Sequence, residues 1–229
     1  MATRKSRAPL TRERILEAAV ALADRDGLAS LTMRKLAAEL GVEAMSLYHH
    51  ISGKDQMLDG MVDVIFGAIE LPQNEVEWKQ AMRQRAISAR EVLARHSWAL
   101  TLVESRRNPG PATLRHHDVM LGCLRSAGFS VAMTAHAVSL IDSYVYGFVL
   151  QERNMQLDTP EEVADVSSAV LEQMSAGDYP HLFEIIEEHA KKTGYNYGEE
   201  FEYGLDLILD AVEKIQATTP DRALEHRDE

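Results

Sequence analysis

The sequence predicts an all-α protein: an N-terminal three-helix domain containing a helix-turn-helix, followed by a larger helical domain. Three observations carry that prediction. Apolar residues recur at helical spacing along the chain with no strand-like alternation. Breakers at Gly27, Gly41, Leu71-Pro72, the run NPGPA at 108–112 and Gly128 cut it into segments of helix length. Residues 31–60, LTMRKLAAELGVEAMSLYHHISGKDQMLDG, read as two short helices, a three-residue turn between them, and the start of a third helix.

In order, residues 1–10 form a flexible basic leader, and Thr11 opens a helix to about Arg25 with Ile15, Ala18, Ala19 and Leu22 on one stripe. Thr32 caps the next helix, Leu31 packs back as a staple, and Leu36, Ala37 and Leu40 share a face. Gly41 stops it, because glycine accepts the left-handed conformation that a sharp exit needs. A second short helix from about Ala44 to His50 turns Leu47 and Ile51 toward the first. A helix from Lys54 to about Ile69 then carries Leu58, Met61, Val62, Ile65 and Ile69, and connects the domain 11–53 to the rest through residues 54–72.

Beyond a polar linker at 73–77, a long helix to about His96 faces Trp78, Met82, Arg85 or Ala86, Ala89, Val92 and Leu93 inward. A short apolar segment spans Ser97–Val103, and a helix from Leu114 to Ala127 turns Met120, Leu121 and Leu124 inward. From Ser130 to about Met155 there are two stripes, Val138, Ile141, Val145, Phe148 and Met133, Ala137, Leu140, Tyr144, Gly147, so this helix is covered on two sides. Helices are expected from Asp158 to about Ser175 and from the AGDYP break at 176–180 to Lys192. In the last helix Phe201, Leu205, Ile208, Val212 and Ile215 recur every three or four residues, the seam of a helix packed at a shallow angle, with Gly204 allowing close approach. Such a seam serves either the chain's own core or a partner subunit. The second domain spans 73–217, with a flexible tail at 218–229.

Charge is unevenly divided. The 229-residue chain has a net charge of −12, yet residues 1–60 hold nine Lys or Arg against eight Asp or Glu, and the first fourteen hold five basic residues against Glu13 alone. Phosphate affinity is therefore local to the N-terminal end, while the acidic remainder is repelled by DNA and helps to orient the molecule. No stretch approaches a membrane span and no apolar signal segment follows the basic opening, so a cytoplasmic protein with no membrane partner is expected. Cys123 is the single cysteine, which excludes an internal disulfide and reads as core filler.

The short helix after Gly41 presents Met45, Ser46, Tyr48, His49 and His50 away from its core face, with Lys54 at the next helix start. Hydroxyls, a phenol and imidazoles on such a helix suit insertion into a DNA major groove. With the leucine-tyrosine pair followed by a short gap to a lysine, LTMRKLAAEL-GV-EAMSLYHHISGKDQML resembles the DNA-binding region of the TetR family of bacterial transcription regulators. IDSYVYGFVLQER and FEYGLDLILDAVEK resemble the two dimer-forming helices of the tetracycline-repressor branch.

The resemblance implies a ligand-responsive homodimeric repressor that reads a palindrome in double-stranded DNA and is released by a small molecule. Thr32 and Lys54 are the expected phosphate clamps with the backbone amides at helix starts, and Tyr48 joins them through its hydroxyl. Arg34, Met45, Ser46, His49 and His50 are the expected base-edge contacts, with Ala44 in the variable part of the same surface. The dimer face is expected at Val138, Ile141, Val145, Phe148, Phe201, Leu205, Ile208, Val212 and Ile215. An effector pocket is expected between about 95 and 155, lined by Trp98, His117, Met120, Tyr144 and Phe148. Tetracycline-binding members carry a histidine in the segment that here reads LTLVESRRNPGP, and none stands there.

Two other classes compete. An enzyme would need scattered His and Glu residues to converge, since the chain has no phosphate loop, no nucleophile elbow and no paired metal motif. His96, His116, His117 and His136 fit no recognised metal-ligand spacing, so no metal and no cofactor are expected. A helical dimer acting as a scaffold without DNA is the other alternative.

Overall fold

The computed structural model describes residues 9–73, 75–155, 159–174, 177–191 and 195–218. Among them are eleven α-helices and no strand: α1 (Arg12–Asp26), α2 (Met33–Leu40), α3 (Ala44–Leu47), α4 (Lys54–Ala68), α5 (Trp78–Arg95), α6 (Ala99–Ser105), α7 (Pro111–Ser126), α8 (Val131–Met155), α9 (Pro160–Glu172), α10 (Pro180–Ile185) and α11 (Glu200–Thr218). The first eight residues of the expected leader, the tail from 219, and the expected boundaries at Asp158, Ser175 and Lys192 lie outside the described residues.

Caps set the boundaries of the first helices as the sequence predicts. Thr11 Oγ1 accepts from Arg14 N and Thr32 Oγ1 from Lys35 N, while Gly41 takes φ 63° and its N–H bonds back to Ala37 and Ala38. Pro111, expected in a loop, is instead the first residue of α7, where a missing N–H costs nothing and the fixed φ suits the helix.

The described chain falls into two compact units, one ending at Ser139 and the other beginning at Leu140 within α8. In the first, α4 packs against α1, α5, α6 and α7, so the head and the connecting helix are not set apart from residues 73–139. Ile15, Leu31, Leu36, Leu47, Ile51, Met57, Met61 and Ile65 are all at most 1% exposed and form a core shared by α1 to α4. Gly60 is where α1 and α4 mesh: a methyl placed there would lie 2.7 Å from Leu16 Cδ2. Leu121, expected inward, is exposed, because Met120 and Leu124 already fill the buried face of α7.

In the second unit, rings organise the core. Tyr144 stacks on Phe201 at 5.4 Å, Phe148 stacks on Tyr197 at 4.8 Å, and Phe148 meets Phe201 edge-on at 5.1 Å. The Tyr144 ring also lies over Gly204, the close approach expected of that glycine. Much of the expected dimer face falls on this core. Ile141, Val145, Phe201, Leu205 and Val212 are buried within a single chain, as is Phe148, so that seam seals the subunit's own core. Leu209 rather than Ile208 continues it; Val138 and Ile208 are half-buried, and only Ile215 of the expected set is exposed. Apolar periodicity identifies a covered face without saying which chain covers it.

Candidate nucleic-acid interface

The helix-turn-helix is held by its buried side: Leu36, Leu40, Leu47 and Ile51 lie inward, and α2 packs on both α1 and α3. Polar pairs stitch its rim. Lys35 Nζ reaches Asp26 Oδ2 at 2.8 Å, and Arg25 forks onto Glu39 at 3.0 and 3.3 Å. The hydrogen bonds from Lys35 and Arg25 hold the Asp26 carboxyl below its usual range. These pairs are exposed and contribute little stability each, yet they occupy Lys35, which is therefore not a phosphate clamp in this arrangement.

The expected contact residues are all exposed or half-covered. Met45 is 71% exposed and Tyr48 45%, His49, His50, Arg34, Thr32 and Lys54 are exposed, and Ala44 and Ser46 are half-covered. The recognition segment is shorter as a helix than expected. α3 ends at Leu47, where bonds tighten to Tyr48 N→Met45 O at 3.2 Å and His50 N→Leu47 O at 3.0 Å, leaving Tyr48, His49 and His50 in a turn. Thr32 Oγ1 is used as an acceptor by the Lys35 amide, which leaves its O–H as a donor. Gly53 caps α4 without a side chain, so amides of the first turn of this 15-residue helix point outward beside Lys54, a geometry that receives a phosphate.

Three polar contacts tie this surface to the helices that follow. Asp24 of α1 accepts from Trp98 Nε1 at 2.6 Å and lies 2.8 Å from His96 Nδ1. Arg106, just past α6, reaches Asp59 and Asp55 of α4, and holds the Asp59 carboxyl below its usual range. Asp63 of α4 accepts from Thr113 N at 2.8 Å and Thr113 Oγ1 at 3.0 Å at the start of α7. None of Asp24, Asp59, Asp63 or Arg106 stands out in the sequence, because each acts through a partner 47 or more residues away.

Of the expected pocket residues, His117 and Met120 lie on α7 facing the buried core of the first unit, where the His117 ring is 5.5 Å from Phe66. Trp98 is committed to Asp24. Tyr144 and Phe148 belong to the ring cluster of the second unit, where Tyr144 donates to Phe201 O at 3.0 Å. Arg85, an inward candidate from its spacing, and His116, weighed in the sequence only as a metal ligand, are both buried and paired, a contact the sequence did not suggest, with Arg85 Nε 3.1 Å and Nη2 2.8 Å from His116 Nε2. A cleft of about 570 Å³ lies between the segment before α5 and the later part of α7, lined by residues including Pro72, Glu77, Trp78, Val119 and Cys123 but by neither Arg85 nor His116.

A helix-turn-helix with its polar face outward, fixed by α4 to a helical body, defines a DNA-binding transcription regulator. Residues 15–61 match the model of bacterial regulatory proteins of the tetR family, and residues 71–215 that of the tetracyclin repressor-like C-terminal domain. The chain belongs to the TetR family of transcriptional regulators, and is a regulator rather than an enzyme. It is 37% identical over 176 residues to an HTH-type transcriptional regulator of Saccharopolyspora erythraea, covering 76% of this chain and 73% of that one. It is 33% identical to the HTH-type transcriptional repressor DrrR1 of Streptomyces coeruleorubidus, covering 93% and 82%. Among solved structures, the Streptomyces coelicolor TetR family protein ActR in complex with actinorhodin superposes with a TM-score of 0.76 at 26% identity, covering 91% of this chain and 99% of that one. Among the described residues no helix is long and apolar enough to cross a membrane.

Proposed function

We propose that this protein is a homodimeric repressor that occupies a palindromic operator and leaves it when a small molecule fills the helical body. The observation that carries the reading is the outward surface of Met45, Tyr48, His49 and His50 beside Lys54 at the side-chain-free start of α4. Tyr48, Thr32, Lys54 and the α4 amides position the phosphates, and Arg34, Met45, Ser46, His49 and His50 face base edges. Two copies on a twofold axis read half-sites whose centres are ~34 Å apart or slightly more. Repression needs only occupancy of the promoter, and a relative carries the name repressor.

The subunits meet on the outer faces of α8 and α11 rather than on the seam the sequence suggested. Leu140, Leu150, Tyr203, Leu207 and Ile215 are exposed there at 40–70%, and an apolar stripe of that kind favours a partner. Release follows from linkage: an effector that binds the DNA-free arrangement better weakens operator affinity by the same factor that the operator weakens effector affinity.

The test is to incubate the protein with fragmented DNA of its own organism at two salt concentrations and sequence what is retained. A short palindrome surviving the higher salt supports the reading. Retention without enrichment, lost uniformly with salt, means only electrostatic attraction and sinks it.

A further inference from the structure

The start of α4, where a phosphate is received, carries a charge of the wrong sign. Gly53 supplies no side-chain cap, so the first amides of α4 lie open beside Lys54, yet the next residue is Asp55, the acid of that first turn. An acid there stabilises the helix through its dipole. On DNA the same carboxylate opposes a phosphate. Its side chain is 90% exposed, and an aspartate with that freedom competes for nearby backbone amides, which puts it in the phosphate's place.

Arg106 meets that charge from another element. It directly follows α6 and stands 51 positions from Asp55 in the chain. Its guanidinium is anchored by Asp59 one turn along α4, Nε to Oδ1 at 2.5 Å, and Asn108 Nδ2 reaches the other oxygen, Oδ2, at 3.4 Å. From that anchor Nη1 donates to Asp55 Oδ1 at 3.1 Å and Nη2 to the Asp55 main-chain oxygen at 3.2 Å. A planar fork held in this way fixes where the carboxylate lies as well as offsetting its charge. The Arg106 and Asp59 side chains are 20% and 18% exposed, so the anchor is sheltered while the carboxylate it holds is open to solvent. An ion pair that open contributes little to stability. Its consequence lies in what the carboxylate is kept from.

We infer that Arg106 is a positioning residue for DNA binding: it holds the Asp55 carboxylate on the Asp59 side of α4 and leaves Lys54 and the first amides of that helix open to a phosphate. This rests on the regulator reading and deepens it. The phosphate seat is thus completed by a residue from outside the helix-turn-helix.

The test measures binding of the full-length chain and its variants to duplex DNA of random sequence at low salt, because a phosphate contact is indifferent to sequence. A unit charge about 4 Å from another in water is worth about fivefold in affinity, so Arg106→Gln is expected to weaken binding by about that factor. The loss should shrink as salt rises. Adding Asp55→Ala should bring binding back to within about twofold of the unaltered chain, whereas adding Asp59→Asn should not. An Arg106 that acts only by pinning α4 through Asp59 gives the reverse order or no rescue, and either result overturns the assignment. So does an Arg106→Gln variant that binds like the unaltered chain. Asp55→Ala with Arg106 kept should tighten binding by less than about twofold, and a gain of about fivefold there overturns the assignment even if Arg106→Gln does not fold. If the unaltered chain retains no duplex at low salt, the regulator reading itself fails and this assignment with it.

Discussion

Trp98 and Asp24 are joined by a 2.6 Å hydrogen bond from the indole Nε1 to the carboxylate Oδ1, and the same oxygen lies 2.8 Å from His96 Nδ1. The bond fastens the start of α6 directly to α1, the first helix of the head. Trp98 is 7% exposed, so its N–H has little water to turn to if the carboxylate is lost. Asp24→Ala is therefore expected to lower unfolding free energy by about 1–3 kcal/mol, whereas Trp98→Phe, which keeps the ring and leaves His96 on the carboxylate, costs about 1 kcal/mol. Urea melts at constant slope check both. Equal and negligible losses would mean that the contact is idle.

DNA affinity separates the two kinds of contact. Lys54→Ala is expected to weaken operator and random DNA alike and to reduce the salt slope by about one counterion. Arg34→Ala should cost about 1–3 kcal/mol on the operator and relax the preference at one base position. Binding to a library of single-base operator variants measures both. A uniform loss for Arg34→Ala would move that residue to the phosphates.

Acid should find His116. The folded pKa is depressed to about 3 against an ordinary 6.5, so the unfolded chain takes up a proton in that interval and the folded chain does not. Stability contributed by the neutral ring is complete above pH 6.5 and declines by ~1 kcal/mol per unit as pH falls below it. Between pH 6.5 and 5.5 the depressed carboxyls of Asp26, Glu39 and Asp59 are ionised in both states, and comparison with His116→Gln is what isolates this imidazole. His116→Gln should flatten the curve there. A slope unchanged by that substitution would place the titration elsewhere.

The subunit interface yields a contrast within one helix. Leu207, 55% exposed, and Leu205, at 0%, are two residues apart on α11. Leu207→Lys should leave a folded monomer, seen as halved mass by sedimentation at micromolar concentration. Leu205→Ala should instead destabilise the fold by about 2–5 kcal/mol, by emptying space inside the subunit. A dimer that withstands Leu207→Lys together with Tyr203→Glu would put the interface on another face.

Local signals were the ones the sequence made readable. Thr32 and Gly41 mark the ends of α2 because capping is decided within four residues, and Leu47 and Ile51 could be placed inward from spacing alone. The register of α11 was half legible: Phe201, Leu205 and Val212 do share a face, but a single-chain periodicity is identical whether that face meets the chain's own rings or a partner's. Spacing offered Arg85 as an inward position and His116 was weighed as a metal ligand, but their pairing was not legible because it joins two helices 31 residues apart. The turn that ends α3 early escaped notice for a similar reason: nothing in the residue types of Tyr48-His49-His50 forbids another helical turn.

Gly60 sits against Leu16 with no room for one more carbon, and Leu16 is itself buried at 3%. A contact so tight has no slack, so a displacement of α4 is passed to α1 rather than absorbed between them. On one side of that contact α1 packs on α2 of the helix-turn-helix, on the other α4 packs on α5, α6 and α7, and residues of those neighbours can be exchanged without touching it. New pairings of signal and gene are then reachable by separate substitutions at the two ends, as long as the hydrogen at Gly60 remains a hydrogen.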